Sequence, residues 1–290
     1  MDRQDYTFTS DADSLELTGY SWATTESANG TVLIAHGLAE HGKRYARFAK
    51  ALNAAGFNVH AYDHRGHGQS LTAPGALGDF GAASWDGLVG DLVQQVRTLA
   101  TRDDTGPLIL FGHSMGSFAV QQALPEVSTH LSGAILSGST DLATVAELVA
   151  QTGEAPSFET YNAAFAPNRT DFDWLSRDEA EVDAYIADPL CGFDAPNEVS
   201  IALIMAAPIM VDPARIDRIR KDLPLLLMAG DMDPLNANLA LLKVLQQRYE
   251  GAGLTQLSTQ YFAGGRHEML NETNRDEVTN ALIAWMKSNS

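Results

Sequence analysis

The stretch Pro107-Leu108-Ile109-Leu110-Phe111-Gly112-His113-Ser114-Met115-Gly116 decides how this chain is read. Its first half is an apolar run of strand length. Its second half fits G-x-S-x-G, in which a strand enters a sharp, strained turn, sets a serine at the apex and leaves at once into a helix. Flanking glycines relieve the crowding that such a turn creates. Ser117 to Leu124 continues with helix-like composition, so strand, turn and helix follow one another. An ordinary Gly-rich turn would look the same locally. What separates the two readings is whether the chain also supplies a base, an acid and an oxyanion-binding loop in the right order.

Outward from this stretch, apolar strands alternate with amphipathic helices. Tyr6 to Ser10 and Ser14 to Trp22 flank Asp11-Ala12-Asp13 and read as an opening hairpin. Thr31 to Ala35, Phe57 to Tyr62, Leu108 to Phe111, Gly133 to Leu136, Leu225 to Met228 and Gln256 to Phe262 read as strands. Arg44 to Ala55, Trp85 to Leu99, Leu239 to Tyr249 and a stretch from Asn274 read as helices, the last opened by an Asn274/Glu277 capping box. This rhythm predicts an α/β fold with a mostly parallel central sheet flanked by helices. It breaks from Asp141 to Leu223, where about 80 residues pass without a buried strand, far more than a normal crossover. We read 141–222 as an inserted, mostly helical cap on a core of 1–140 and 223–290.

The 290 residues suffice for a large core, and the hydrophobic share of 45% is ordinary. A net charge of −18 argues against nucleic acid and against anionic membranes, which recruit Lys and Arg. The start Met1-Asp2-Arg3-Gln4-Asp5-Tyr6 lacks the apolar core of a secretory signal, and Ile201 to Val211 is too short to span a bilayer. Lone Cys191 suits a reducing interior, so a cytoplasmic location is the expectation. Nothing in the sequence argues for a particular oligomer.

A serine hydroxyl attacks an acyl carbon only if something takes its proton, and a histidine is the usual base. Of the eight histidines, His267 has the best context: a glycine-bearing loop at the carboxyl end of a strand, before a helix. The acid that orients it should lie between serine and histidine and follow a strand. The run Leu225 to Pro234 offers Asp231 and Asp233. For the oxyanion, one backbone donor is the residue after the serine, Met115. The other comes from the loop His36-Gly37-Leu38 after an earlier strand, with Leu38 N–H as the donor.

These residues belong to a longer pattern: His36-Gly37-Leu38-Ala39-Glu40-His41 with Arg44-Tyr45, Asp63-His64-Arg65-Gly66-His67-Gly68-Gln69-Ser70, the elbow Gly112 to Gly116, Asp188-Pro189-Leu190, Gly230-Asp231-Met232-Asp233, and Arg266-His267-Glu268-Met269-Leu270-Asn271-Glu272. In this order the chain resembles the α/β-hydrolase superfamily, and within it the monoacylglycerol lipase and lysophospholipase-like serine hydrolases. The resemblance implies the α/β-hydrolase fold, Asp233 as the acid, and Leu38 and Met115 as oxyanion donors. It further implies a carboxylic ester hydrolase that needs no metal or cofactor and acts on monoacylglycerols of short to medium chain. Simple esters and lysophospholipids are the next candidates. A hydrolase-fold binding protein usually lacks one of the three residues, and none is missing here. The cap is the least matched region.

Other motifs carry weaker readings. Gly37 to Lys43 approaches a phosphate-binding loop but continues with Arg44 where Ser or Thr would hold Mg²⁺. His60, Asp63, His64 and His67 read as loop packing rather than a metal site, and Arg65 as a loop anchor. Cys191 reads as a packing thiol. His113, beside the serine, and Ile201, Ile204, Met205 and Ile209 are expected to contact substrate. The last four belong to an apolar run that is read equally well as an acyl-pocket wall or as cap-on-core packing.

Overall fold

Residues whose side chains must be buried on both sides of a sheet form continuous apolar runs, and that is how the central strands arise. The computed structural model describes residues 3–25 and 27–290; Met1 and Asp2 of the acidic start, and Glu26, lie outside the described residues. Its strands are β1 (Gln4–Thr9), β2 (Glu16–Trp22), β3 (Gly30–Ala35), β4 (Phe57–Tyr62), β5 (Leu108–His113), β6 (Gly133–Ser137), β7 (Leu225–Gly230) and β8 (Leu257–Phe262). They form one sheet in the order β1-β2-β4-β3-β5-β6-β7-β8. The β1–β2 and β2–β4 pairs are antiparallel, and every pair from β4 to β8 is parallel.

The helices are α1 (Ala46–Ala54), α2 (Ser84–Ala100), α3 (Met115–Val127), α4 (Leu142–Thr152), α5 (Phe158–Ala163), α6 (Glu179–Ala187), α7 (Asn197–Met210), α8 (Pro213–Ile216), α9 (Ala240–Gly251) and α10 (Arg275–Ser288). The pleat sends alternate strand residues to opposite faces. Leu33, Leu110 and Leu227 therefore join α2, α3 and α9 in one core, while Val32, Ile34, Ile109, Phe111, Leu226 and Met228 join α1 and α10 in the other. This is the α/β-hydrolase fold.

Two local expectations need correction. Arg44 to Ala55 is not one helix: a short 3-10 turn, Gly42–Tyr45, precedes α1. Nor does Asn274 close a capping box. Its side chain makes no cap to the backbone and instead donates to Glu277 Oε2 at 2.9 Å.

Between β6 and β7 the described chain is helical, α4 to α8. Side-chain oxygens of Asp141, Ser157, Asp178 and Asp212 accept backbone N–H groups at the starts of α4, α5, α6 and α8, satisfying donors a helix leaves free. The segment is stitched to the core. Asp141 accepts from Arg248 of α9 at 2.8 Å, Arg177 donates to Glu272 at 2.9 Å, and the Tyr185 hydroxyl donates to Ala39 O at 2.8 Å. Trp174, Leu175, Tyr185 and Cys191 form a small core there, with Phe158, Tyr161, Phe165 and Phe172 packed on it.

Candidate active site

Ser114 links β5 to α3 with φ 51° and ψ −122°, a left-handed backbone that a side-chain-bearing residue adopts only under strain, of order 1–3 kcal/mol. Neighbours hold it there. Ser114 N–H donates to Ser137 O at 2.9 Å, and the Ser117 hydroxyl donates to Ser114 O at 2.6 Å. The flanking glycines are required by close approach: a Cβ on Gly116 would fall 2.2 Å from Ala35 O, and one on Gly112 would fall 2.7 Å from Gly116 O. Helix α3 thus starts directly against the end of β3.

The loops after β7 and β8 meet where Gly230 and Gly265 touch, since a Cβ on Gly230 would sit 2.0 Å from Gly265 O. That contact brings Asp233 Oδ2 to 3.0 Å from His267 Nδ1, with Asp233 0% and His267 2% exposed. Asp233 also accepts from Leu235 N at 3.0 Å and Asn236 Nδ2 at 3.1 Å, which fix its carboxylate. Asp231 points elsewhere and accepts from Gly264 N at 2.7 Å, tying the two loops together. Burial works against a charged imidazole, yet Asp233, reinforced by Glu268 and Glu40, overrides it and raises the His267 pKa above its ordinary value. On the other side of the ring, Nε2 is buried and makes no hydrogen bond among the described residues.

The loop after β3 lies against the serine: a Cβ on Gly37 would be 3.2 Å from Ser114 Cβ. Leu38 and Met115 line the same cavity as Ser114. Ala39 has φ 54°, and its carbonyl is clamped by Gly192 N at 3.0 Å and the Tyr185 hydroxyl. Buried Glu40 accepts from Gly37 N at 2.6 Å, the Tyr45 hydroxyl at 2.9 Å and Arg44 at 2.7 Å. The Arg44 guanidinium also grips Glu268, next to His267, with two bonds of 2.7 and 2.8 Å. Burial favours neutral carboxyls, but Arg44 between them holds both Glu40 and Glu268 below the usual carboxylate range. Sequence reasoning missed this clamp, although the four-residue spacing of Glu40 and Arg44 was a legible hint.

Ser114, His113 and His267 open into a cavity of about 460 Å³. Leu142, Val145, Leu203, Ile204 and Leu235 give it an aliphatic wall, and Phe118, Phe158, Tyr161, Trp174 and Tyr185 supply aromatic rings. Of the expected contacts, His113 and Ile204 line the cavity. Ile201, Met205 and Ile209 do not: they are 61%, 70% and 36% exposed. They recur every four residues and form one outward ridge of α7, while Val199, Ala206, Ala207 and Met210 face inward. Because α7 is apolar all round, its sequence carried no phase to tell the two faces apart. His113 is pressed to about 4, by burial first and then by His267, so it stays neutral.

The remaining motifs are structural. Asp63 accepts from the Tyr20 hydroxyl, Gly42 N and Gln69 N, and Arg65 is buried against Asp91 and Asp13. His36 accepts from His64 N through Nε2 and donates from Nδ1 to Gly37 O, a neutral tautomer that burial holds near 4. Burial also pushes the Cys191 thiol up, so it is a poor nucleophile. His41, Asp188 and Cys191 place one ligand atom each within 4.8 Å, but His41 Nε2 is already paired to Asp188 at 3.0 Å.

Sheet topology and the elements meeting at Ser114 define the class, an α/β-hydrolase. A family model described as Hydrolase_4, serine aminopeptidase S33, matches residues 26–274, and the chain belongs to that family. Mouse monoglyceride lipase is 30% identical, with 98% of this chain and 90% of that protein aligned. The monoacylglycerol lipase of Mycolicibacterium smegmatis is 31% identical over 92% of this chain and 91% of its own. Among solved structures, a highly thermostable carboxyl esterase from Bacillus coagulans in complex with glycerol superposes with a TM-score of 0.86. It is 25% identical, covering 100% of this chain and 99% of the other.

Proposed function

We propose that the protein is a carboxylic ester hydrolase that cleaves monoacylglycerols and similar esters of short to medium acyl chain, with Ser114, His267 and Asp233 as its catalytic residues. The observation that carries this reading is the buried Asp233–His267 pair, 3.0 Å apart, whose His267 lines, together with Ser114, one cavity that has an aliphatic wall. His267 Nε2 takes the Ser114 proton as Oγ attacks the acyl carbon, and Asp233 holds the tautomer and stabilises the imidazolium. The tetrahedral oxyanion accepts from Leu38 and Met115 N–H, the latter at the positive end of α3. His267 returns the proton to the departing alcohol. Water, deprotonated by the same nitrogen, then attacks the acyl-enzyme, and His267 passes that proton to Ser114 Oγ as the acid leaves. Each step moves one proton between His267 and an oxygen, so the reading needs no metal or cofactor.

The segment 141–222 serves in this reading as the cap that shapes the acyl site. The named lipases above favour a monoacylglycerol, and the Bacillus esterase keeps a general carboxylesterase as the second reading. A lysophospholipid fits less well. Glu40, Glu159, Asp194 and Glu268 line the cavity, and no Lys or Arg does so among the described residues. No described helix is long and apolar enough to cross a membrane, so the substrate is reached without a spanning anchor among those helices. The test is a panel of monoacylglycerols and p-nitrophenyl esters from butyryl to palmitoyl. Turnover of the shorter monoacylglycerols, lost in Ser114→Ala, supports the reading; hydrolysis of aryl esters alone would leave the carboxylesterase.

A further inference from the structure

Two rings lie against His267 that no sequence pattern tied to it. The His113 imidazole is 4.8 Å away, centroid to centroid, inclined at 47°, and the Trp174 indole is 4.7 Å away at only 31°. Trp174 comes from the stretch between α5 and α6, is 3% exposed, and packs also on Phe158 at 5.3 Å and Tyr161 at 5.2 Å. Its backbone is fastened to the loop carrying His267. Trp174 O accepts His267 N–H at 3.4 Å, Leu175 O accepts Glu268 N–H at 2.8 Å, and Arg266 donates to the carbonyls of Asp173 and Ser176. The indole and the imidazole therefore travel together.

We propose that Trp174 is a positioning residue for His267, its indole face steadying the imidazolium that exists while the ring holds the proton of Ser114. This rests on the reading of His267 as the general base. An aromatic face attracts a cation through its quadrupole, indole most strongly, and the attraction grows where water is excluded. A neutral imidazole gains much less from the same contact. The indole thus favours the state in which His267 is charged, which is the transition state for serine attack. The other titratable or charged groups around the ring are Asp233 at Nδ1, then Glu268 and Glu40 with Arg44 between them, His113, and Tyr161. His113 stays neutral, so it does not compete for the charge. Asp233 is held by Leu235 N and Asn236 and bonds His267, and among the described residues it makes no hydrogen bond to Trp174, so changing Trp174 alone tests the contribution of the indole.

The experiment compares wild type with Trp174→Leu, which keeps the ring dry but removes the aromatic face, and Trp174→Phe, which keeps a weaker one. Alanine is unsuitable, because water admitted to the imidazole would itself raise the pKa and mask the loss. The His267 titration is followed by NMR in the resting protein, assigned with His267→Gln. In parallel, kcat and KM for a short p-nitrophenyl ester are measured across pH. The pKa should fall in the order wild type, Phe, Leu, by roughly half to one unit in Leu, and kcat should drop about threefold to tenfold. KM should change less than twofold. An unmoved titration with a raised KM would make Trp174 a pocket wall, and an unmoved titration with only a lower Tm would make it packing; either overturns the proposal. If Trp174→Leu does not fold, the direction of the shift in Trp174→Phe decides. Wild-type turnover that is absent, or that survives Ser114→Ala, defeats the hydrolase reading instead, while the NMR titration still decides the effect of the indole.

Discussion

Asp231 and Asp233 stand two residues apart on one loop, yet only Asp233 reaches the imidazole, because its carboxylate is turned inward by Leu235 N and Asn236. Asp233→Asn should therefore cost about 10⁴ in kcat, the loss expected when the tautomer is no longer held. Asp231→Asn, which only loosens Gly264, should stay within a few-fold. Ester turnover of the two variants side by side checks this, and a larger loss at Asp231 would reverse the roles. The base must be neutral to accept a proton, and the His267 pKa is raised. Hence kcat/KM should climb with pH through an acid limb above the ordinary histidine value of about 6.5, and removing the carboxylate should move that limb down. A limb at or below that value would contradict the electrostatics described for His267. At this scale Ser114, His267 and the Asp231/Asp233 pair were legible in sequence as candidates, because each lies just beyond a strand and a loop there has few other tasks; the choice of Asp233 over Asp231 came from the family resemblance, not from local pattern. Trp174 and the Glu40–Arg44–Glu268 clamp were not: Arg44 and Glu268 are 224 positions apart, and no local pattern announces such a contact.

Elements were legible where burial imposes a period. The parallel strands read as apolar runs because both faces are covered, and β1 and β2 as a hairpin because their residues alternate. Helix α7 was found as an apolar stretch, but its lining face was not, since only tertiary packing distinguishes Ile204 from Ile201. The elbow makes the sharpest element-scale demand. Gly116→Ala puts a methyl 2.2 Å from Ala35 O, backbone that cannot yield without parting β3 from α3. It should lower the unfolding midpoint by several degrees and reduce turnover at least tenfold; a variant with wild-type Tm and activity would refute the packing described here. Asp141 both caps α4 and holds Arg248, so Asp141→Ala should cost about 1–3 kcal/mol, read as a shift in the urea midpoint. An unchanged midpoint would mean that the inserted segment is anchored elsewhere.

Across the whole molecule, histidines that are buried (His36, His64, His67, His113) or half-buried (His60) set the response to acid. Burial is the main cause that depresses His36, His60 and His113 to about 4 and His67 to about 3, and it holds His64 lower than its ordinary value as well. Between those values and about 6.5 the unfolded chain binds protons that the folded one refuses, so stability is greatest above that window and is lost as pH falls through it. His267 works in the opposite sense, contributing below about 6.5 and losing its contribution as pH rises through its raised pKa. With five groups against one, the urea midpoint should drop steadily from pH 7 to pH 4.5; a flat profile would mean that these rings are not buried and neutral. The mostly parallel α/β sheet and the helical stretch that interrupts its strands were foreseeable from the strand–helix rhythm, whereas the strand order and the shape of the cavity were not, the latter because it is made by side chains from α3, α4, α7 and the loop around Trp174 closing together. Everything in the proposed chemistry depends on Ser114 being the nucleophile that takes up the acyl group. Mass mapping after reaction with a fluorophosphonate should find a single adduct on Ser114, abolished in Ser114→Ala; an unlabelled Ser114 or an adduct on another residue would contradict that role.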